Sequence, residues 1–160
     1  MIKVTILCGG KLKEGYWREA CAEYTKRMSR FADFSIIEVN EERLPDDPSQ
    51  AQIDNTLKKE GERILAKLPA GAAVIPMCIE GKLYDSPSLA ALTEELASGG
   101  VSHIVFVIGG SWGLSDEVKN TAKIRMSMSR MTFPHQLARV MLCEQIYRAF
   151  QINGGGKYHK

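Results

Sequence analysis

The chain has 160 residues, of which 44% are hydrophobic and 25% are charged, and these values exclude disordered and fibrous proteins. The length suits one domain spanning residues 1–160. The net charge of +2 is unevenly distributed, because seven basic residues and one acid lie from Lys123 onward, which gives +6 there and −4 before it. Such a basic end favours an anionic partner, although a solvated basic surface explains the charge equally well.

The sequence also indicates the compartment. It contains no apolar run of about 18 residues, and its start lacks a basic leader and a small-residue cleavage site. We therefore expect a cytoplasmic protein without a membrane span. Four widely spaced cysteines, Cys8, Cys21, Cys78 and Cys143, form no C-x-x-C pair, and we expect core residues, with no disulfide and no metal site.

Apolar runs that alternate with amphipathic stretches predict strands alternating with helices. The runs typical of strands are Ile2 to Cys8, Phe34 to Val39, Ala73 to Ile79, His103 to Ile108 and Ile124 to Met128. Glu80, Gly81 and Lys82 are predicted to form a turn that ends the third strand. The helical stretches run from Lys13 to Arg30, from near Ser49 to Gly71, from Ser86 to Ser98, onward from Ser115, and from Pro134 to Phe150. This order predicts an α/β fold, with a parallel sheet that is covered by helices on both faces.

Two loops near the C-terminus are candidate ligand loops, because each follows a predicted strand in an open α/β sheet. The first, Gly109 to Gly113, does not fit the G-x-G-x-x-G spacing, and no segment fits G-x-x-x-x-G-K-[ST]. Small residues can still bring backbone groups close to a ligand. A tight turn without a ligand is an equally good interpretation. The second loop runs from Ser127 to His135.

The last predicted helix is apolar in nearly every direction. Either it lies at the centre of the domain or a second chain covers its outer side, and the short chain slightly favours the second arrangement. Glu144 and Arg148, four residues apart, are more economically a helix ion pair than a catalytic group.

The histidines and the tail offer further candidates. His135 is either a base or a structural residue at a helix start, and His103 is expected to be structural. Tyr158 and His159 lie between Lys157 and Lys160 in a flexible polar tail. An aromatic ring flanked by cations suits unpaired RNA, whereas a frayed terminus explains the same residues equally well.

Four segments together resemble the RlmH family of SPOUT methyltransferases, which methylate N3 of a pseudouridine in 23S rRNA. They are Phe106 to Gly110, Ser127 to His135, Arg139 with Leu142 to Ala149, and Tyr158 to Lys160. The resemblance implies a single α/β domain of the SPOUT class, with a C-terminal trefoil knot and a homodimer packed through that region. It further implies that S-adenosyl-L-methionine is the methyl donor and that 23S rRNA, in the assembled ribosome, is the partner.

The resemblance also implies roles for individual residues. The S-adenosylmethionine contacts carry over to Met77, Gly109, Met128, Ser129, Arg130, Met131, Thr132 and Phe133. Arg130, His135 and Lys160 are the candidates for substrate binding. Tyr158 and His159 are the catalytic candidates, for positioning or for deprotonation, and no general base is assigned. Lys157, where relatives often have proline, and Trp112 depart from the family pattern.

Two alternative functions remain at this point. One is methylation of another RNA, such as tRNA, since related knotted enzymes act there. The other is a non-catalytic ribosome-binding protein that retains the fold.

Overall fold

The structure, a computed structural model, describes residues 1–159 and contains ten helices and strands. The strands are β1 (Lys3–Gly9), β2 (Asp33–Val39), β3 (Ala73–Leu83), β4 (His103–Ile108) and β5 (Met126–Ser127). The helices are α1 (Gly15–Met28), α2 (Gln50–Lys67), α3 (Ser86–Ser98), α4 (Asp116–Lys119) and α5 (His135–Asn153). The five strands form one sheet in the order β2-β1-β4-β3-β5, and every pair is parallel. The predicted α/β fold with a parallel sheet is confirmed, while the trefoil knot stays a prediction.

Helices cover both faces of the sheet, because the central strands are apolar on both sides. In β4, the side chains of Ile104, Phe106 and Ile108 belong to one buried cluster, which includes residues of α1, α3 and α5. Val105 and Val107 point to the other face and pack with residues of α2 and α4. A strand buried on both faces is typical of parallel sheets.

Local sequence explains where α2 and α3 begin. Ser49 caps α2, since its Oγ accepts a hydrogen bond from the Gln52 backbone N–H, and the Gln52 side chain accepts one from the Ser49 N–H. Asp85 and Ser88 form the same reciprocal arrangement at the start of α3. These caps satisfy backbone donors that a helix start leaves without partners.

The predicted turn at Glu80, Gly81 and Lys82 is wrong. β3 continues to Leu83, because its second half pairs with β5. Met77 and Lys82 both pair with Met126, so residues 78–81 form a bulge between the two pairings. The Lys82 N–H donates to the Arg125 carbonyl at 2.9 Å, and Gly81 lies so close to Arg125 that an added Cβ would meet its backbone at 2.9 Å. A turn signal in the sequence therefore marks a β-bulge.

One residue of the predicted flexible tail, Tyr158, packs against the body of the chain, so the terminus is not frayed at that position. Tyr158 is partly buried against α5, and its hydroxyl donates to Glu144 Oε2 at 2.9 Å. Its ring packs edge-on against Tyr147 with centroids 5.0 Å apart, and the Arg148 guanidinium carbon lies 4.6 Å from its centroid. The three partners of Tyr158 all belong to α5. The sequence offered no signal for this contact, because it forms only when the end of the chain folds back onto that helix. Lys160 lies outside the described residues.

Three of the four cysteines, Cys8, Cys21 and Cys143, are buried as predicted, whereas Cys78 is half-buried. The predicted ion pair within α5 is confirmed, with Arg148 Nη2 at 2.7 Å from Glu144 Oε1. His103 has the expected structural contact, since its Nε2 lies 2.8 Å from Thr5 Oγ1. Among residues 1–159, no helix has the length and apolar character needed to cross a membrane.

Candidate active site

A cavity of about 230 Å³ lies where β4 and β5 end and where β3 reaches its bulge. Ligands of open α/β sheets bind at this edge, outside the ends of the strands. Three segments line most of the cavity: residues 77–79 of β3, the loop after β4, and the segment from Met126 to Phe133. His135 and Ala138, from the first turn of α5, complete the wall.

The loop after β4 has a shape that only glycine permits at two positions. An added Cβ on Gly109 would lie 2.1 Å from the Gly113 carbonyl oxygen, far inside contact distance. Gly113 has a φ of +85°, and its N–H donates to the Gly110 carbonyl at 3.1 Å. The loop therefore closes on itself, and its backbone forms one wall of the cavity.

The cavity wall suits a ligand with an apolar, flat portion and a polar portion. Met77, Ile108, Met128 and Phe133 supply apolar contacts, while the glycine loop and Ser129 supply backbone and hydroxyl groups. Ser127 Oγ donates to the Ser129 carbonyl at 2.9 Å, and the Met131 N–H donates to Ser129 Oγ at 3.0 Å. These local bonds fix the segment that follows β5, so the ligand meets a preformed surface.

Two titratable groups line the cavity in their neutral forms. His135 is half-buried, and its burial lowers the pKa of the imidazole. Burial also raises the pKa of the Cys78 thiol. A neutral imidazole can accept a proton, whereas a protonated thiol is a poor nucleophile, so this wall does not favour a covalent cysteine intermediate.

Most of the predicted site residues come together at this cavity. Met77, Gly109, Met128, Ser129, Met131, Thr132, Phe133 and His135 all line it. Arg130 is exposed and does not line it, although it lies between two residues that do. Besides Met77, four lining residues lie outside the two ligand loops and the segments that carry the family resemblance: Cys78, Ile79, Met126 and Ala138. The first three belong to predicted strands and could have been found by their place near a strand end, whereas Ala138, inside the last helix, had no such signal.

Tyr158 and His159 do not line the cavity of their own chain. Tyr158 bonds to Glu144, which lies nine residues after His135 in α5, or about 13 Å along the helix axis. The His159 Nδ1 atom lies 3.2 Å from Arg148 Nη1 on the same stretch of α5. The described part of the chain therefore separates the tail from the cavity.

Comparison with known proteins identifies the family. The family model described as "Predicted SPOUT methyltransferase" matches residues 2–159. The chain belongs to the SPOUT methyltransferase family. A solved structure titled "The structure of a probable methylase family protein from Haemophilus influenzae Rd KW20" is similar in fold, with a TM-score of 0.52 at 13% identity, over 99% of this chain and 70% of that one. It supports the fold alone.

Two relatives are much more similar in sequence. The protein named "Ribosomal RNA large subunit methyltransferase H" from Oenococcus oeni is 50% identical over 160 residues, which cover the whole of both chains. The protein of the same name from Clostridium novyi is 48% identical over 159 residues, which cover 99% of this chain and all of that protein. The family resemblance inferred from the sequence is thus confirmed.

Proposed function

We propose that this chain is an S-adenosylmethionine-dependent methyltransferase that modifies N3 of a pseudouridine in 23S rRNA of the large ribosomal subunit. The observation that carries the proposal is the 50% identity, over the full length of both chains, to a protein named as a large-subunit rRNA methyltransferase. The cavity at the carboxyl edge of the sheet supports it, since eight of the residues proposed for cofactor or substrate contact line that cavity.

The residues of the cavity fit S-adenosylmethionine. The close approach of Gly109 to Gly113 leaves a cradle of backbone atoms that any Cβ would disturb, and the apolar side chains of Met77 and Phe133 can contact an adenine ring. In this assignment the backbone of Gly109, of Met128 and Ser129, and of Met131 to Phe133 holds the cofactor, while Arg130, also assigned from the resemblance, lies outside the cavity wall. When bound, S-adenosylmethionine supplies a sulfonium methyl group to the N3 nitrogen of the base.

The chain's own residues then have to orient the base and accept its N3 proton. Correct orientation of two reactants supplies much of the acceleration in such a transfer. His135 lies in the cavity wall with an imidazole that its burial keeps neutral, so it offers a nitrogen that can accept the proton. Arg130, exposed beside the cavity, is placed to contact a phosphate of the substrate.

The proposed roles of Tyr158 and His159 need a second copy of the chain or a release of the tail, because both residues lie away from the cavity of their own chain. We propose a homodimer that packs through the half-buried outer residues Leu137, Val140 and Met141 of α5. Mixing a Gly109→Ala chain with a chain that lacks residues 157–160 tests this arrangement. Methyl transfer restored by mixing supports a shared site, and two inactive chains that stay inactive oppose it.

Transfer of radiolabelled methyl groups tests the function. We expect label in the 23S rRNA of intact ribosomes and, after digestion, in a nucleoside whose methyl is on N3 of pseudouridine. Label in tRNA alone would overturn the substrate. A folded chain that binds no S-adenosylmethionine in calorimetry would instead be a non-catalytic ribosome-binding protein.

A further inference from the structure

The edge of the sheet beside the cavity carries a concentrated positive charge that the proposed catalytic step does not use. It is formed by the second half of β3, the end of α4 and the residues that lead into β5. We call this surface the basic edge, and its members are Lys82, Tyr84, Lys119, Lys123 and Arg125. One acid, Glu80, lies within it and is paired with Lys119 at 2.5 Å.

The remaining cations of the basic edge are not neutralised by the protein. Lys82 and Lys123 are exposed, and neither forms an ion pair with an acid among residues 1–159. Arg125 Nη2 donates to the neutral Asn120 Oδ1 at 2.6 Å, which orients the guanidinium without removing its charge. Three cations that form no ion pair among residues 1–159 therefore line one depression, and of these Arg125 also lies close enough to Glu80 to help lower the pKa of that carboxyl.

The fold fixes the basic edge directly against the candidate active site. In β3, Cys78 and Ile79 line the cavity, and Glu80 to Lys82 line the depression. In the β5 segment, Arg125 lines the depression and Met126 lines the cavity. Because the same two strands form both sites, the bulge at residues 78–81 holds them at a fixed separation.

Two exposed apolar side chains of β3 flank the depression. Ile79 is 51% exposed at the cavity mouth, and Leu83 is 45% exposed further along the strand. The Lys82 ammonium lies 5.1 Å from the centre of the Tyr84 ring, which keeps the lysine over the edge of the sheet. A surface with apolar side chains beside uncompensated cations suits a single strand of nucleic acid, whose bases and phosphates alternate.

The opposite rim of the cavity is less suitable for binding the phosphates of a nucleic acid. The cleft beside Trp112 includes Lys11, Lys13 and Arg43, but it also includes Glu41, Glu42 and Glu60. Its acids repel phosphates, and Arg63 of that cleft is paired with Glu42. Charge complementarity thus favours the basic edge as the path of the strand.

We infer that the basic edge binds the phosphates of the RNA strand next to the target nucleotide, with Lys82 and Lys123 making the principal contacts. This inference rests on the proposed function, because it takes RNA as the substrate. A base that enters the cavity brings the phosphates of its neighbours to the rim, and cations there release counterions from the strand.

Replacement of both lysines tests the inference. We compare the full chain with a Lys82→Gln/Lys123→Gln variant, a charge-conserving Lys82→Arg/Lys123→Arg variant, and a matched control, Lys59→Gln/Lys67→Gln, on exposed positions of α2. The probes are a fluorescein-labelled single-stranded RNA oligonucleotide, read by anisotropy over a range of salt concentrations, and purified large ribosomal subunits. Circular dichroism establishes that each variant is folded.

For the glutamine pair on the basic edge, we expect roughly a tenfold loss of RNA affinity near 0.1 M salt. The plot of log affinity against log salt concentration should become less steep by about 1.4, since each phosphate contact on a single strand contributes about 0.7 to the magnitude of the slope and two contacts are lost. The arginine pair and the α2 control should retain the affinity and slope of the original chain. Calorimetry should give all variants the same affinity for S-adenosylmethionine.

Unchanged RNA affinity and slope in the glutamine pair would overturn the inference. Weaker binding to ribosomal subunits but not to naked RNA would also overturn it, because the partner would then be a ribosomal protein. Failure of the proposed function looks different: the original chain would transfer no methyl group to rRNA, whatever the affinity of the variants for RNA.

Discussion

The Tyr158 hydroxyl donates a hydrogen bond to Glu144 Oε2 at 2.9 Å, and this contact holds the end of the chain against α5. The tyrosine cannot easily serve as a base in this position. Burial, followed by the hydrogen bond to Glu144, raises the pKa of Tyr158 above its ordinary value of 10. At neutral pH its phenol therefore keeps its proton, and positioning is the role that the geometry favours.

Replacement of Tyr158 should separate positioning from deprotonation. In Tyr158→Phe the ring still packs against Tyr147, so we expect methyl transfer to ribosomes to fall by less than about tenfold. Loss of a general base would cost roughly 100-fold or more. Tyr158→Ala removes the ring as well, and there we expect the larger loss, while S-adenosylmethionine affinity measured by calorimetry stays the same. Full activity in Tyr158→Ala would exclude a role for Tyr158 in the reaction.

A single methyl group on Gly109 should disable the candidate cofactor site. In Gly109→Ala the new Cβ would lie 2.1 Å from the Gly113 oxygen, so the loop has to move away from its present path. We expect the variant to fold but to bind S-adenosylmethionine at least roughly tenfold more weakly, because a shift of the loop removes several contacts at once. Isothermal titration calorimetry gives the affinity directly.

The control for that variant is Gly100→Ala. Gly100 has a positive φ, +91°, which Gly109 lacks, but an added Cβ at Gly100 meets nothing within 4 Å, and the residue lies outside the cavity. It should lose a little stability and keep its cofactor affinity. An equal loss of S-adenosylmethionine affinity in both variants would mean that backbone strain anywhere in the chain is sufficient to weaken cofactor binding. That result would argue against a specific role for the backbone around Gly109.

Local patterns predicted the parts of the fold that depend on local interactions. β4 was predicted from His103 to Ile108 with the bounds that the structure has, because its residues are β-branched or aromatic. The continuation of β3 past Ile79 was missed, since it depends on pairing with β5, more than forty residues away in sequence. The candidate cavity was anticipated in outline because strand ends are common ligand sites, but its residues came from the family resemblance.

An ion pair between a buried arginine and a partly exposed glutamate joins α5 to β2. Arg139 of α5 is 2% exposed, its Nη1 lies 2.6 Å from Glu38 Oε2, and its Nη2 donates to the Gly10 carbonyl at 3.0 Å. Glu38→Gln leaves the buried guanidinium without a counter-charge. We expect the free energy of unfolding to fall by about 2 kcal/mol, below the usual 3–5 kcal/mol for a fully buried pair because the Glu38 side chain is 36% exposed.

Urea unfolding at one fixed protein concentration measures this loss, since dimer formation would make stability depend on concentration. The matched control is Glu23→Gln, which breaks the exposed pair with Arg27 in α1 and should cost less than about 1 kcal/mol. Similar losses of unfolding free energy in Glu38→Gln and Glu23→Gln would show that the burial of Arg139 does not increase the contribution of its ion pair to stability.

Glu60 should make stability depend on pH in a defined direction. The residue is 7% exposed in α2, and its burial, reinforced by the nearby carboxylate of Glu41, raises its pKa from 4.5 to about 7 although a hydrogen bond from the Glu42 backbone lowers it. Between these two values the folded chain keeps a proton that the unfolded chain releases, so this group makes the free energy of unfolding fall as the pH rises from about 4.5 to about 7. The neighbouring Arg63 opposes the shift but does not cancel it.

Glu60→Gln removes that titration while keeping the shape of the side chain. The difference in free energy of unfolding between this variant and the original chain should therefore increase in favour of the variant from pH 4.5 to pH 7 and stay constant above it. Urea unfolding at several pH values measures the difference, and other titrating groups cancel because both chains contain them. Glu94→Gln, at an exposed position of α3, should show no such trend. If the difference in free energy of unfolding between the two chains does not depend on pH, Glu60 is ionised throughout this range. Solvent would then stabilise the neighbouring carboxylates of its cleft well enough for all of them to be charged at once.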